Sequence, residues 1–307
     1  MSKLKWRIVP VFTLVALAFC GMAAAEQLYV NESGWWCDGG GFNASGAPIQ
    51  AAVDNATAGD SVFVWNGSYN ENVAVYKRLT LEGEGADVVT VTAADSGDHV
   101  FGVGVDWVNI SGFSVTGTTD YDMAGIYLGN VDYCNISENN AYENDQGIYL
   151  NYSSDNTLIS NTLNLNNDCG VCMSGSSNTL ANNIASKNKY EGILLYGSSS
   201  SSNILQNNTA SSNDYGIYLY HSTSNTLANN TASNNDDGGI RLSFASGNIL
   251  QNNIAKLNKK YGIHLFDSNS NTLANNIASN NGYDGIYLDC VFYLVISYNT
   301  LENNIVT

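Results

Sequence analysis

The chain has 307 residues, is 44% hydrophobic and only 13% charged, and carries a formal net charge of −17. That size suits one elongated repeat domain or two ordinary ones. The acidic balance argues against nucleic acid and anionic lipid headgroups as partners, because both carry the same sign of charge. Two prolines suit a chain built mostly of strands, since proline cannot donate to a ladder; 29 glycines suit frequent sharp turns.

The first 25 residues read as a signal peptide. Lys3, Lys5 and Arg7 precede a short apolar run at 11–19, and Ala23, Ala24 and Ala25 form a small-residue cleavage motif before Glu26. The apolar run falls short of the roughly 20 residues that span a bilayer. Cys20 follows the bulky Phe19, which disfavours lipidation there. No membrane span is expected after signal removal, and the location is expected to be secreted or cell-surface. Loss of the three basic residues leaves eight Lys and Arg against 28 Asp and Glu, a charge near −20.

Residues 26–60 form an N-terminal segment. Within it, 48–56 reads as a short amphipathic helix with Pro48 at its start. Strand-like pieces follow at 62–64, 73–75, 79–81, 88–91, 100–103, 108–110 and 113–115. They are expected to form about two irregular turns of a coil, with the helix capping its open end.

From about residue 122 the sequence becomes periodic. The pattern G-[IV]-x-[LM] begins at Gly125, Gly147, Gly170, Gly192, Gly216, Gly239, Gly262 and Gly285, at spacings of 22, 23, 22, 24, 23, 23 and 23. Each unit also carries N-x-[LI], as at 178–180 and 203–205, and then N-N-x-A, as at 182–185 and 207–210. Three short apolar blocks per unit are too short for helices and alternate with period two. Gly and Asn punctuate every junction. Three strands and three corners per unit describe one turn of a triangular coil. A leucine-rich repeat has a similar period but wants denser leucines and a longer convex segment.

The expected architecture is therefore all-β: a single-stranded parallel β-helix over 61–307, of about ten rungs. Ile126, Ile148, Val171, Ile193, Ile217, Ile240, Ile263 and Ile286 should form one internal column. Leu128, Leu150, Met173, Leu195, Leu219, Leu242, Leu265 and Leu288 should form another. The repeated asparagines suit amide ladders, since an amide both donates and accepts. Sequons such as Asn207-Asn208-Thr209 overlap these ladders and are expected to be sealed in them. The last residues 305–307 follow directly on a repeat block, and an uncovered terminal rung is expected either to pair with another chain or to mark a shortened relative of a longer protein.

Residues 55–60, the stretch 61–74 and the segment 79–85 (LTLEGEG) resemble the opening of NosD-like proteins, and the GIYL and NTLxNN units resemble their repeats. The resemblance covers about 46–307 and extends to carbohydrate-binding and sugar-hydrolase β-helices and to repeat-rich surface proteins of methanogenic archaea. It implies a right-handed coil. It specifies fold more than activity, because the shared residues are scaffold.

Functional candidates lie where the repeat leaves side chains free. The third residue of each G-I-x-L points outward and reads Tyr127, Tyr149, Cys172, Leu194, Tyr218, Arg241, His264 and Tyr287. Tyr127, Tyr149, Tyr218 and Tyr287 can stack on sugar rings, and tyrosine also simply suits an exposed strand face. Two residues before the repeat glycine, Asp145 and Asp168 lie on adjacent rungs, as do Asp214 and Asp237; Tyr190 separates the pairs. Such pairs can hold calcium, act as acid and nucleophile, or serve as corner residues.

No complete catalytic motif is found. The segment 234–239 resembles the aspartate pair of polygalacturonases but lacks that family's accompanying His and Arg-x-Lys motifs, and the Asp-Pro-His motif of alginate epimerases is missing. Copper follows from the NosD resemblance alone, and His99, His221 and His264 are scattered. Five cysteines remain after Cys20: Cys37, Cys134, Cys169, Cys172 and Cys290. They allow at most two bridges, and the lone C-x-x-C lies inside a repeat strand. The expected function is a non-catalytic surface protein that binds polysaccharide or serves a structural envelope role, with no cofactor unless calcium. The alternatives are a polysaccharide lyase, hydrolase or epimerase, and an accessory factor for copper-enzyme maturation.

Overall fold

The computed structural model describes residues 25–290 and 298–307. The basic start and apolar run of the signal segment lie outside the described residues. No described helix is long and apolar enough to cross a membrane.

The short blocks do form strands, and they stack into three sheets of 14, 11 and 10 strands, here called A, B and C, whose pairings are parallel except at the start of sheet A. Each turn of the coil runs through A, B and C in order; one turn is Thr179–Ala181, Ile184–Ser186 and Glu191–Tyr196. The ten strands of sheet C count ten turns. Register holds like residues together: Leu180 pairs with Leu205, Ala185 with Ala210, and Ile217 with Ile240. A slip of one residue would turn every inward side chain outward, so the buried columns fix this register.

The two expected columns of sheet C are internal. Ile126 to Ile263 and Leu128 to Leu265 are buried at every turn, while Ile286 and Leu288 in the last turn are half-buried. Each such side chain contributes roughly 1.5–3 kcal/mol on burial, but only because neighbouring turns cover it.

The corners explain the double asparagines. At the junction of sheets A and B, Asn182, Asn207, Asn229, Asn252 and Asn275 take left-handed φ values near 57°. The next residue, as Asn183, Asn208 or Asn230, is fully buried. Asn183 Oδ1 accepts from the backbone N–H of Asn161 at 3.0 Å and from its Nδ2 at 3.0 Å, and Asn183 Nδ2 donates to Leu158 O at 2.9 Å and to Asn208 Oδ1 at 3.0 Å. The same arrangement recurs at the two other corners, through Asn178 and Asn203 and through Asn188 and Asn213. Contrary to the expectation that they are sealed in the ladders, the sequon acceptors Asn207 and Asn229 are the exposed members of their pairs, not the stacked ones.

The helix Pro48–Asn55 turns Ile49, Ala52 and Val53 into the start of the core. Buried Glu71 accepts from the N–H groups of Ile49 and Gln50 at 3.0 and 2.8 Å, and Lys77 Nζ donates to the carbonyls of Val53, Asp54 and Ala56 at its other end. Both termini thus gain partners of favourable charge. The strand Ser61–Val64 pairs in parallel with Gln27–Asn31 and leads into the irregular turns. The strand Gly67–Asn70 and the antiparallel pair Gln27–Asn31 with Gly34–Cys37 were not anticipated, because neither carries the repeat pattern.

Candidate functional site

Sheet C has the longest strands, six residues in most turns, so each turn presents three outward positions rather than one. They are the residue before the repeat glycine, the residue two after it and the residue four after it. In one turn these are Glu191, Leu194 and Tyr196, all half-buried beside the fully buried Ile193 and Leu195.

Tyr127, Tyr149, Tyr218 and Tyr287 all lie on this outer face and are half-buried. They do not form one unbroken row. Tyr127 stacks on His99 at 4.1 Å and meets Tyr149 edge-on at 5.4 Å. Tyr218 packs beside Tyr215 and Tyr220, and Tyr287 stacks on Tyr261 at 4.8 Å. Cys172 and His264 point outward as expected but are buried, at 3% and 8% exposure. Cys172 is tied to Cys169 by a disulfide, and His264 sits among Tyr261, Tyr287 and Asp289, whose Oδ1 lies 2.7 Å from Nε2. Cys37, Cys134 and Cys290 are free.

Asp145, Asp168, Asp214 and Asp237 follow one another along the corner between sheets B and C. The gap that Tyr190 leaves between the two pairs is filled by Glu191, the next residue in the chain. Its carboxyl is pushed up to about 7, first by burial and then by the charges of Asp168 and Asp214. Burial also raises Asp145, Asp168 and Asp214, with Asp145 adding to the rise at Asp168 and Asp237 to that at Asp214. Asp237 has cationic neighbours instead. Its Oδ2 accepts from Lys260 Nζ at 2.7 Å and from the Tyr215 hydroxyl at 2.9 Å, while Arg241 Nη1 donates to that hydroxyl oxygen at 2.6 Å.

Between the first aromatic group and the acids lies a cavity of about 300 Å³, lined by Tyr121, Asp122, Gln146, Tyr149, Asp168 and Tyr196, among others. Tyr149 and Tyr196 join their hydroxyls at 2.8 Å across the intervening turn. Gln146 is 3% exposed; its Nε2 donates toward Asp122 and Asp168 at 3.2 and 3.4 Å, while its Oε1 has no protein partner. The arrangement offers flat rings, hydroxyls and carboxyls on one rigid face. Glu191, Gln146, Tyr196 and Tyr215 were missed in the sequence. Their rows hold unlike residues from turn to turn, and only alignment on the repeat glycine would have exposed them.

A three-sided parallel coil with open outer faces defines the class: this is a right-handed parallel β-helix protein. The family model described as periplasmic copper-binding protein (NosD) matches residues 53–236, and that of the right-handed β-helix region matches 199–307. The chain belongs to the NosD family. It is 30% identical over 129 residues to a cell surface glycoprotein of Methanothermus fervidus, a stretch that is 41% of this chain and 19% of that relative. Among solved structures it is similar to the A-module of a mannuronan C-5 epimerase from Azotobacter vinelandii. There the TM-score is 0.72 at 16% identity, over 84% of this chain and 90% of that one. It is also similar to a pectate lyase, with a TM-score of 0.66 at 16% identity over 90% and 79%. The corresponding values for the Dettilon tailspike protein are 0.69 and 15%, over 83% and 57%. At these identities the likeness is one of fold.

The family's name raises copper, and the described residues do not fit it. Copper sites gather His, Cys or Met donors. The one close group of possible donors among the described residues is Asp168, Cys169 and Cys172, and its two sulfurs are bonded to each other. His99 Nδ1 accepts from Ala124 N at 2.9 Å, His221 stacks on Phe244, and His264 pairs with Asp289. No two of these histidines share a site.

Proposed function

We propose that this chain is an extracytoplasmic surface protein that binds a polysaccharide along the outer face of sheet C. The observation that carries this reading is the outer face of sheet C, where half-buried Tyr149 and Tyr196 line a cavity of about 300 Å³. Tyrosine rings present apolar faces to the C–H faces of sugars and polar tips to their hydroxyls. The relative named as a cell surface glycoprotein, and the epimerase, lyase and tailspike folds, support a surface role and a sugar ligand. The acidic row favours a neutral glycan, or an acidic one bridged by calcium at Asp145, Asp168, Asp214 and Asp237.

The test is affinity electrophoresis through gels containing single polysaccharides, with and without calcium. Retardation by at least one glycan, weakened in Tyr149→Ala and Tyr218→Ala, is the expected result. Retardation unchanged in both variants would remove the aromatic face from the account.

One observation favours a second reading, a polysaccharide lyase or epimerase. Glu191 titrates near neutrality beside other carboxyls, which is the range in which a general base works best. Shortened or epimerised glycan after incubation, abolished in Glu191→Gln, would establish that reading over simple binding.

A further inference from the structure

A separate concave patch lies where the chain passes from sheet C into sheet A. Register places Arg78, Trp107 and Tyr133 at one corner position in three successive turns, since Asn109 pairs with both Thr80 and Asn135. Later turns hold Asp155, Ser177, Ser202 and Ser224 at the same position. Trp107 and Tyr133 take φ values of 66° and 59°, as Ser177 does at 58°. The left-handed region disfavours bulky side chains, so the corner itself does not call for aromatic rings. Nor does the core, because Trp107 and Tyr133 are 51% and 47% exposed. The rings stack on each other at 4.4 Å and 18°.

The Arg78 guanidinium stands 5.8 Å from the Trp107 ring centre and has no hydrogen-bond acceptor or carboxylate partner among the described residues. Together the three side chains wall a cavity of about 140 Å³ over Thr80 and Asn109. Asn109 Nδ2 donates to Thr80 Oγ1 at 3.1 Å, which leaves the Thr80 hydroxyl proton and Asn109 Oδ1 for another molecule. The nearby carboxylates of Asp106 and Asp132 accept from the backbone N–H groups of Asp132 and Ser154, each at 2.9 Å.

We propose that this pocket is a second ligand site, which takes a pyranose residue bearing a carboxylate. The sugar's C–H face lies on the aromatic pair, its carboxylate takes the Arg78 fork, and its hydroxyls meet Thr80 and Asn109. Guanidinium suits a carboxylate because two parallel N–H groups match its two oxygens. The site does not depend on the sheet C face, whose acidic row repels such a group, so one coil holds two surfaces of different charge preference.

The experiment is calorimetric titration, with tryptophan emission read in parallel, using short oligogalacturonates, the matching neutral galacto-oligosaccharides and inorganic sulfate. Binding of the oligogalacturonate with a change in emission is expected. Arg78→Gln should weaken it by about tenfold or more, the loss that follows from removing a charged hydrogen-bond donor. Arg78→Lys should recover only part, for want of the planar fork. Trp107→Ala should abolish both signals in calcium-free buffer, and Gln206→Ala, exposed on sheet A, should leave both unchanged. Arg78 and Trp107 are exposed, so unaltered circular dichroism is expected of these variants. Equal binding of the neutral oligomer that Trp107→Ala also loses, or sulfate binding as tightly as the oligogalacturonate, would overturn the proposal. So would the absence of any binding, or binding that Trp107→Ala leaves intact.

Discussion

Replacement of Asn183 by alanine tests the account of what holds the coil together. The residue is completely buried, and its side chain makes four hydrogen bonds, to Asn161 N, Asn161 Nδ2, Leu158 O and Asn208 Oδ1. In Asn183→Ala the Asn161 N–H loses its acceptor and Leu158 O loses a donor, both in a buried corner. Asn161 Nδ2 keeps Ile136 O at 2.8 Å, and Asn208 Oδ1 keeps the backbone N–H of residue 183 at 2.9 Å. Two under-satisfied groups cost about 2–5 kcal/mol together, with a water entering the vacated space holding the loss to the lower end. Asn183→Asp should be no better at neutral pH, since a carboxylate cannot donate to Leu158 and would face Asn208 Oδ1. The control is Gln206→Ala on the exposed side of sheet A, expected within about 0.5 kcal/mol of the parent. Solenoids open by neighbouring turns, so thermal midpoints should be measured together with hydrogen exchange at the Asn161 amide. Midpoints for Asn183→Ala and Gln206→Ala that coincide, with Asn161 still protected, would refute the ladder as a source of stability.

Three further outcomes are expected. Ile217→Asp puts a carboxyl at a fully buried position and should abolish cooperative melting or lower it by many degrees, which differential scanning calorimetry would show; a normal melt would contradict the inward assignment. Glu191 has a folded pKa raised to about 7 from an ordinary value of 4.5, so it binds more protons folded than unfolded between those values. Its contribution is fully present below pH 4.5 and is lost as pH rises through 7. Glu191→Gln should therefore melt higher than the parent at pH 8 and nearly alike at pH 4, and parallel pH profiles would reject the shift. Arg241→Met should lower the Tyr215 hydroxyl's hold on Asp237 and loosen the aromatic group around Tyr218, visible as a changed near-ultraviolet circular dichroism spectrum; an unchanged spectrum would show that the Arg241 contacts do not order the rings.

Much of the scaffold was legible because the coil writes the same demand once per turn. Ile217 and its column must be apolar, Gly216 must be small because a Cβ there would meet Gly239 O at 2.5 Å, and Asn183 must both donate and accept. Each demand recurs at a fixed interval, so it appears as a repeated letter. The outer face carries no such demand. Glu191 follows Gln146 and Cys169 in its row and precedes Tyr215, so no column of one residue type marks it. The Tyr149–Tyr196 contact joins residues 47 apart in the chain. Trp107 was hidden for a different reason, as it lies in the early turns where the interval between corners is not yet regular.

The same contrast separates structure from function in this molecule. Inward positions and the stacked corner positions are occupied by apolar residues, Gly and Asn almost without variation between Gly147 and Gly262, and a foreign residue there leaves a void or an unpaired polar group. Outward positions on sheet C vary from Gln146 to Arg241 because a substitution there disturbs no register. Chemistry placed on that face is therefore nearly independent of folding, turn by turn. Glu191 is one exception: it points outward, yet burial, with the charges of Asp168 and Asp214 beside it, raises its carboxyl to about 7. A group with that cost and no role in the ladder is where selection for an activity would leave its mark. A comparison of Glu191→Gln with the parent, for stability and for glycan turnover, separates a tolerated accident from a working acid–base group.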